Sequence, residues 1–344
     1  MPLRRRDNQN RQVKYGNLAA NGKPISRLIC GCDRLGLQRA VHLDAAFERG
    51  INAFDTARIY HGSESVLGEW MAAHGLREQI FIITKGGFPQ RARHRASYDA
   101  VQWDLDRSLQ ELRTDYVDLF FLHYDALEVP PEDLVELLEA VLDSGRARAV
   151  GVSNIALKRI QECDAASASL GAPRLSAISV QFSLPVPQVP MWPWPGSISI
   201  AGDAGRPARA WYATHGISVF AYSSLARGFF SDAFWRGLCE PTPTVSRPRA
   251  GLHGDVPWLK AVFHSPDNLE RYRRAQQLAQ RRNVTPAQVG IAYIAHARFN
   301  VYVIAGWSDI PRCEENIAAF DLKLSPEEIA WLELATCQTP SPRS

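Results

Sequence analysis

The segment Ile80-Phe-Ile-Ile-Thr-Lys-Gly86 combines an apolar run with an ionisable side chain at its end. Four consecutive apolar residues without a polar face predict a strand that is covered on both sides, as in a parallel sheet flanked by helices. Lys85 follows this run after a single residue, Thr84. Because a buried charge is costly unless it is paired, we expect a partner or a function for Lys85.

Strand and helix patterns alternate on both sides of this segment. Eight strand–helix units without a break in composition predict an α/β protein with a (β/α)8 TIM barrel, in a single domain with long loops after strands six and seven. A doubly wound sheet is the main alternative. Its dinucleotide sites usually carry a G-x-G-x-x-G turn after the first strand, whereas this chain has Gly31-Cys-Asp-Arg-Leu-Gly36 there. The predicted strands are Leu28–Cys30, Asn52–Phe54, Ile80–Ile83, Val117–Leu122, Ala147–Val152, Ala177–Val180, Ile217–Ala221 and Val301–Ile304.

Two segments interrupt the alternation, at residues 184–203 and at about 224–267. Segments of this length without periodicity are usually functional loops. We expect the barrel to span residues 13–337, between a flexible tail at 1–12 and a disordered tail at 338–344.

Composition narrows the range of partners. The chain has 344 residues, 46% of them apolar, and a net charge of +3, so neither nucleic acid nor a membrane is an expected partner. The six cysteines form no cluster with histidines at zinc spacing, which predicts no metal site and favours reduced, buried thiols in a cytoplasmic protein. The sequence leaves the oligomeric state open.

Polar residues follow three neighbouring strands of the predicted barrel. Asp55, Lys85 and His123 each end or closely follow an apolar run, and Tyr60 comes five residues after Asp55. Taken singly, Asp55 fits a helix cap and Lys85 a solvated strand end. Because the carboxyl ends of barrel strands meet on one rim, we expect the four side chains to lie together.

Such a cluster suits general acid catalysis. A tyrosine has a pKa near 10, and an adjacent ammonium group lowers it, so we expect Lys85 to lower the pKa of Tyr60. Asp55 would hold the lysine, and His123 would orient a carbonyl oxygen. The chain shows no nucleophile–base pair for acyl transfer. A proton donor alone fits carbonyl reduction, in which a cofactor supplies the hydride.

At this point the chain resembles the aldo-keto reductase superfamily. The resemblance runs from about residue 13 to 335, and three segments carry it: Gly50-Ile-Asn-Ala-Phe-Asp-Thr-Ala-Arg-Ile-Tyr-His-Gly-Ser-Glu-Ser-Val-Leu-Gly68, Asp118-Leu-Phe-Phe-Leu-His123 and Val150-Gly-Val-Ser-Asn154. It implies a catalytic tetrad of Asp55, Tyr60, Lys85 and His123, with Tyr60 as the proton donor. It also implies reversible NAD(P)H-dependent reduction of a small aldehyde or ketone to an alcohol.

The same resemblance implies a nicotinamide-cofactor site. Ser153, Asn154 and Gln181 would bind the carboxamide, and Tyr222 would stack on the ring. The loop Tyr222-Ser-Ser-Leu-Ala-Arg-Gly228, including Ser223, Leu225 and Arg227, would cover the pyrophosphate. The adenosine end would contact Gly306, Ser308, Arg312, Glu315 and Asn316. A helix that begins at Pro311 would point its N-terminus at the 2′-phosphate.

Several questions stay open at the level of sequence. Arg312 would bind the 2′-phosphate and so favours NADP(H). Asp309 places a repulsive carboxylate near the same phosphate, so NAD(H) remains an alternative. Trp192 and Trp194 either line a substrate pocket or pack under their own loop, and His61 is either a substrate contact or a surface residue. Glu64 is interpreted as a first-turn helix charge. The alternative functions are a nicotinamide-binding regulatory or partner-binding protein on the same barrel and a cofactor-free isomerase or dehydratase.

Overall fold

A computed structural model describes residues 13–18, 21–33, 35, 41–89, 96–192, 196–231, 234 and 256–340. Eight parallel strands, β3 to β10, close into a barrel in the order β10-β3-β4-β5-β6-β7-β8-β9. The predicted TIM barrel is therefore confirmed. The strands are β3 (Leu28–Gly31), β4 (Ala53–Asp55), β5 (Phe81–Gly86), β6 (Leu119–Leu122), β7 (Val150–Ser153), β8 (Ala177–Gln181), β9 (Ser218–Tyr222) and β10 (Val301–Ala305).

Helices surround the barrel and follow the predicted pattern. Several begin at a side-chain cap: Ser97, Thr285 and Ser325 each accept a hydrogen bond from the third backbone N–H of their helix. Within the described ranges the helices are α1 (Val41–Glu48), α2 (Ser63–His74), α3 (Tyr98–Leu112), α4 (Pro131–Asp143), α5 (Leu157–Leu170), α6 (Arg206–His215), α7 (Val256–Phe263), α8 (Pro266–Arg282), α9 (Pro286–Ala295), α10 (Ile310–Ala318) and α11 (Pro326–Leu332).

The structure contains elements that the sequence analysis did not predict. An antiparallel hairpin, β1 (Tyr15–Leu18) and β2 (Asn21–Ser26), precedes the barrel and packs Leu18 and Ile25 into its interior. Helix α7 lies within the second predicted loop. The predicted tail at 1–12 falls outside the described residues, and so do residues 341–344 of the predicted C-terminal tail.

Strand periodicity explains how the barrel positions polar groups. Phe81 and Ile83 pack inside the barrel, so the next inward position of β5 is Lys85. The same alternation places Asp55 after Ala53, and His123 after Phe121. Each of these three strands thus presents apolar residues within the barrel and a polar residue at or directly after its carboxyl end.

The two long loops build a small hydrophobic core of their own above this rim. Met191 from the first loop packs with Phe229, Trp258 and Phe263 from the second. Asn268 fastens the two loops: its amide Nδ2 donates to the carbonyls of Val186 (2.8 Å) and Phe263 (2.9 Å). Within the part of the chain that the structure describes, no helix is long and apolar enough to cross a membrane.

Candidate active site

A buried ion pair forms the base of the site. The Lys85 ammonium donates to both carboxylate oxygens of Asp55 at 2.7 and 2.8 Å, and to the Thr56 carbonyl at 2.8 Å. Both side chains are at most 5% exposed. All three donor positions of the ammonium therefore have an acceptor, which fixes its orientation.

Tyr60 lies above this pair in the loop that follows β4. The Lys85 nitrogen is 5.0 Å from the centre of the Tyr60 ring. Hydrogen bonds from Tyr60 N to the Ala57 carbonyl (2.9 Å) and from Ser63 N to the Tyr60 carbonyl (3.0 Å) turn this loop back over the rim. The structure therefore brings the predicted proton donor next to the predicted lysine.

His123 completes the cluster from the end of β6. Its ring lies edge-on to Tyr60, with 6.0 Å between ring centres, and stacks on Tyr124 at 5.2 Å. Phe88 packs on the ring as well, at 5.3 Å. Burial, with a contribution from the nearby Lys85 ammonium, holds the pKa of His123 well below its ordinary value. The imidazole is therefore neutral at neutral pH.

The pKa of Tyr60 shifts opposite to the expectation from sequence. Loss of solvent and the carboxylates of Asp55 and Asp33 raise its pKa well above 10, although Arg227 acts in the other direction. Lys85 does not reverse this shift because its charge is already paired with Asp55. The expectation of a lowered pKa was wrong for this state of the protein. A phenol with a raised pKa keeps its proton at neutral pH.

The residues expected around a carboxamide lie next to the cluster. Asn154 adopts a left-handed backbone conformation (φ 55°), and its side chain donates to the His123 carbonyl at 3.3 Å and to Ser153 at 3.1 Å. The Tyr222 hydroxyl donates to the Asn154 side-chain oxygen at 2.5 Å. Gln181 is fully buried, and its amide is bonded to Ser183 and Ser199. The side chain of Gln181 is therefore held in place by these two serines, next to the strand that carries Ser153.

An ion pair crosses the mouth of the barrel. Arg227, in the loop after β9, donates to Asp33, in the loop after β3, at 2.9 Å. The backbone of Ser223 and Arg227 is left-handed (φ 50° and 53°), and Leu225 lies between them. The Arg227 Nε is buried without a hydrogen-bond partner among the described residues.

At the expected adenosine end, Asp309 contacts both residues that were expected to bind the 2′-phosphate, Ser308 and Arg312. It caps α10 by accepting from the Arg312 backbone N–H at 2.9 Å, it accepts from the Ser308 hydroxyl at 2.9 Å, and its carboxylate lies 3.4 Å from Arg312 Nε. These hydrogen bonds, that of the Arg312 backbone foremost, lower the pKa of Asp309. The helix begins at Ile310 rather than Pro311, so Asp309 occupies the N-terminus that was expected to face a phosphate.

Asn316 and Glu315 lie further along the same helix, and Gly306 lies at the end of β10. The Asn316 side chain is buried, and its Nδ2 has no partner within the described ranges. Glu315 instead accepts a hydrogen bond from Thr285.

Trp192 is held by residues of the second loop. It stacks on Trp258 with 5.1 Å between ring centres and 12° between the planes, and the Arg227 guanidinium lies 5.1 Å from its ring centre. Trp192 therefore does not merely pack under its own loop. His61 is exposed, and Trp194 lies outside the described residues.

Comparison with known proteins places these residues in a family. The model of the Aldo/keto reductase family matches residues 37–335. The chain belongs to the aldo/keto reductase family.

Individual relatives are distant but similar over most of their length. "Probable aldo-keto reductase 1" of Glycine max is 27% identical over 338 residues, which cover 92% of this chain and 87% of the relative. "Aldo-keto reductase yakc [NADP(+)]" of Schizosaccharomyces pombe is 25% identical over 291 residues, covering 82% and 78%. The crystal structure of an aldo/keto reductase from Klebsiella pneumoniae in complex with NADP and acetate shares the fold, with a TM-score of 0.65, 22% identity, and coverage of 97% of this chain and 99% of that one.

The residues of this aldo/keto reductase fit a nicotinamide dinucleotide in part. Arg227 Nε and Asn316 Nδ2 are buried donors without partners in the described region, and a phosphate and a nucleobase offer acceptors. Asp309 disfavours a 2′-phosphate because it already holds Ser308 and Arg312. The donor set therefore fits the shared part of NAD(H) and NADP(H) better than it fits the 2′-phosphate.

Sequence reasoning missed several residues of this site. Asp33 was noticed only as part of a loop, and Phe88 and Tyr124 were not singled out. Tyr124 directly follows His123, and Phe88 follows β5 by two residues, so their closeness to strand ends was an available signal. The pairing of Asp33 with Arg227 joins residues 194 positions apart and had no local signal.

Proposed function

We propose that this protein reduces an aldehyde or ketone to an alcohol with NAD(P)H, reversibly, and that Tyr60 donates the proton. The observation that carries the proposal is the convergence of a protonated phenol, a fully paired lysine and a neutral histidine on one rim. Family membership supports the same class of reaction.

The chain's own residues supply positioning and the proton. A bound nicotinamide cofactor supplies the hydride to the carbonyl carbon. His123, neutral and buried, orients the carbonyl oxygen toward the Tyr60 hydroxyl. As negative charge develops on that oxygen, Tyr60 transfers its proton, and the Lys85 ammonium stabilises the phenolate that remains. Asp55 keeps the ammonium oriented throughout.

Ser153, Asn154 and Tyr222 are proposed to contact the nicotinamide, with Gln181 supporting them. Arg227, Ser223 and Leu225 would contact the pyrophosphate; Gly306, Ser308, Arg312, Glu315 and Asn316 would contact the adenosine end. NADP(H) is proposed as the cofactor, since the Schizosaccharomyces pombe relative carries NADP(+) in its name. Asp309 keeps NAD(H) as the alternative.

Aromatic side chains suggest the character of the substrate. Phe88 and Tyr124 flank His123, and Trp192 lies in the loop core beside Tyr222. Such a wall favours an apolar or aromatic carbonyl compound. His61 and Trp194 remain proposed substrate contacts.

The test is loss of NADPH and NADH absorbance with a panel of aliphatic and aromatic aldehydes, sugars and quinones. Replacement of Tyr60 with Phe is expected to abolish turnover while the dissociation constant of the cofactor, measured by fluorescence, changes less than about twofold. Retention of most activity by the variant would refute the role of Tyr60. Silence of the wild-type protein across the panel, with tight cofactor binding, would instead favour a regulatory protein.

A further inference from the structure

Glu64 is far more enclosed than a first-turn helix charge needs to be. Its side chain is 1% exposed, although it lies in the first turn of α2, the helix that the sequence predicts. One carboxylate oxygen accepts from the Thr84 hydroxyl at 2.6 Å, and the other accepts from Arg58 Nη1 at 2.6 Å. Burial of an ion pair is seldom favourable for stability alone, so this arrangement invites a functional explanation.

The partners of Glu64 connect it to the candidate catalytic lysine. Thr84 directly precedes Lys85 on β5. The backbone N–H of Arg58 donates to the Lys85 carbonyl at 2.9 Å. The pair of Arg58 and Glu64 thus bonds to two consecutive residues of β5, one through a side chain and one through the backbone.

The same pair encloses the loop that carries the phenol. Tyr60 lies between Arg58 and Glu64 in the chain, in a loop that its own backbone hydrogen bonds turn back on itself. Both ends of the loop are therefore fastened to the strand that presents Lys85. The Tyr60 ring, whose centre is 5.0 Å from the Lys85 nitrogen, lies between these two attachments in the chain.

A neighbouring helix provides an outer attachment. The second guanidinium nitrogen of Arg58 donates to Glu111 on α3 at 2.8 Å. Helices α2 and α3 meet closely at Gly68, where a Cβ atom would lie 2.2 Å from the Glu111 backbone oxygen. Glu111 is 35% exposed, so this second ion pair of Arg58 lies nearer the surface than its ion pair with Glu64.

We propose that Glu64 is a positioning residue for catalysis: with Arg58 it fixes the Tyr60 loop to β5 and so sets the phenol against Lys85. The inference rests on the proposed function of Tyr60 and Lys85. It differs from a purely structural role because Glu64 would control the geometry of proton transfer without touching substrate or cofactor.

The experiment compares Glu64→Gln with the matched control Glu69→Gln, an exposed glutamate on the same helix that pairs with Arg113 and not with Arg58. In Glu64→Gln, glutamine keeps an acceptor for Thr84 but removes the charge that holds Arg58. For Glu64→Gln we expect kcat to fall at least 10-fold, the cofactor dissociation constant to stay within twofold, and the deuterium isotope effect on kcat with 4-deuterated cofactor to rise. For Glu69→Gln we expect all three quantities to stay within twofold of wild type.

A readout without turnover separates failure of this inference from failure of the proposed function. With 13C-labelled tyrosine, the NMR signal of Tyr60, assigned by its absence in Tyr60→Phe, is expected to shift in Glu64→Gln and not in the control Glu69→Gln. An unmoved signal with wild-type kcat would overturn the inference. A shifted signal in a protein without any reductase activity would overturn the proposed function and leave the positioning of Tyr60 standing.

A further variant guards against misfolding. Thr84→Val removes one hydroxyl that bonds to Glu64 and keeps the shape of the side chain. It is expected to lower kcat about threefold or more with an unchanged melting temperature. The inference would be overturned if kcat fell only in proportion to the melting temperature in Glu64→Gln and Thr84→Val, and if activity returned on cooling. Glu64 would then have a purely structural role.

Discussion

Replacement of Asp309 with Asn is expected to move cofactor preference toward NADPH. Asp309 holds both groups that would otherwise meet a 2′-phosphate, the Ser308 hydroxyl at 2.9 Å and Arg312 Nε at 3.4 Å. Asparagine is an equally good helix cap, so the start of α10 should survive the change. The substitution therefore removes a charge and leaves the local backbone in place.

The expected magnitude follows from simple electrostatics. A phosphate bound by Arg312 would lie roughly 5–6 Å from the Asp309 carboxylate, and in a water-like medium two unit charges at that separation repel by about 0.7 kcal/mol. With about 1.5 to 2 charges on the phosphate, and partial screening by salt, the penalty is about 1 kcal/mol. The ratio of NADPH affinity to NADH affinity should thus rise about fivefold.

Dissociation constants for both cofactors, measured by fluorescence at low and high salt, test this reasoning. The gain should be larger at low salt because the Asp309 side chain is 48% exposed. Asp321→Asn is the matched control, since Asp321 is an exposed acid that pairs with Lys14. An unchanged ratio in a variant with wild-type melting temperature would refute the placement of the 2′-phosphate at Ser308 and Arg312.

Three further substitutions test other parts of the structure. Asp33→Asn should tighten NADPH binding about threefold, measured by fluorescence titration, because it releases Arg227 from a 2.9 Å ion pair; weaker binding would contradict a competition between Asp33 and the pyrophosphate. The pKa of His123 is lowered, so the unfolded chain takes up a proton that the folded chain does not, and stability should fall as pH drops below about 6.5. Relative to His123→Gln, the free energy of unfolding of the wild type, measured with urea, should fall by up to about 1 kcal/mol between pH 6.5 and 5.5; parallel curves would refute the lowered pKa. Gly68→Ala should cost about 2 kcal/mol or more in thermal unfolding, because its Cβ would lie 2.2 Å from the Glu111 backbone oxygen.

The barrel could be predicted from sequence because its strands carry continuous apolar runs. The run at residues 80–83 marks β5, although the strand extends to Gly86 and so includes Lys85 itself. The rim positions followed from the same pattern, since Asp55 and His123 come directly after an apolar run and Lys85 comes one residue later. The hairpin at Tyr15–Ser26 was missed because only Leu18 and Ile25 pack inward and Gly, Asn and Pro interrupt any alternation.

Contacts between distant parts of the chain limited the prediction of the site. The pairing of Asp33 with Arg227 joins two loops that are 194 positions apart in the sequence, and only the closed barrel brings them together. The direction of the Tyr60 pKa shift was mispredicted for a related reason: the sequence shows Lys85 and its expected partner Asp55, but it does not show how completely the fold removes the phenol from solvent, and this burial is the largest cause of the raised pKa. The sequence pattern therefore predicts which ionisable residues form the site, whereas the packing around them decides the direction of their pKa shifts.

The hydrophobic core shared by the two long loops has a consequence for engineering. Met191 and Trp192 belong to one loop and Phe229, Trp258 and Phe263 to the other, while Asn268 ties both together. A loop grafted alone from a homologue would leave half of this core without its packing partners and put one of the two acceptors of the Asn268 amide at risk. A change of substrate preference through these loops therefore requires exchanging them as a pair, with the barrel beneath left as it is.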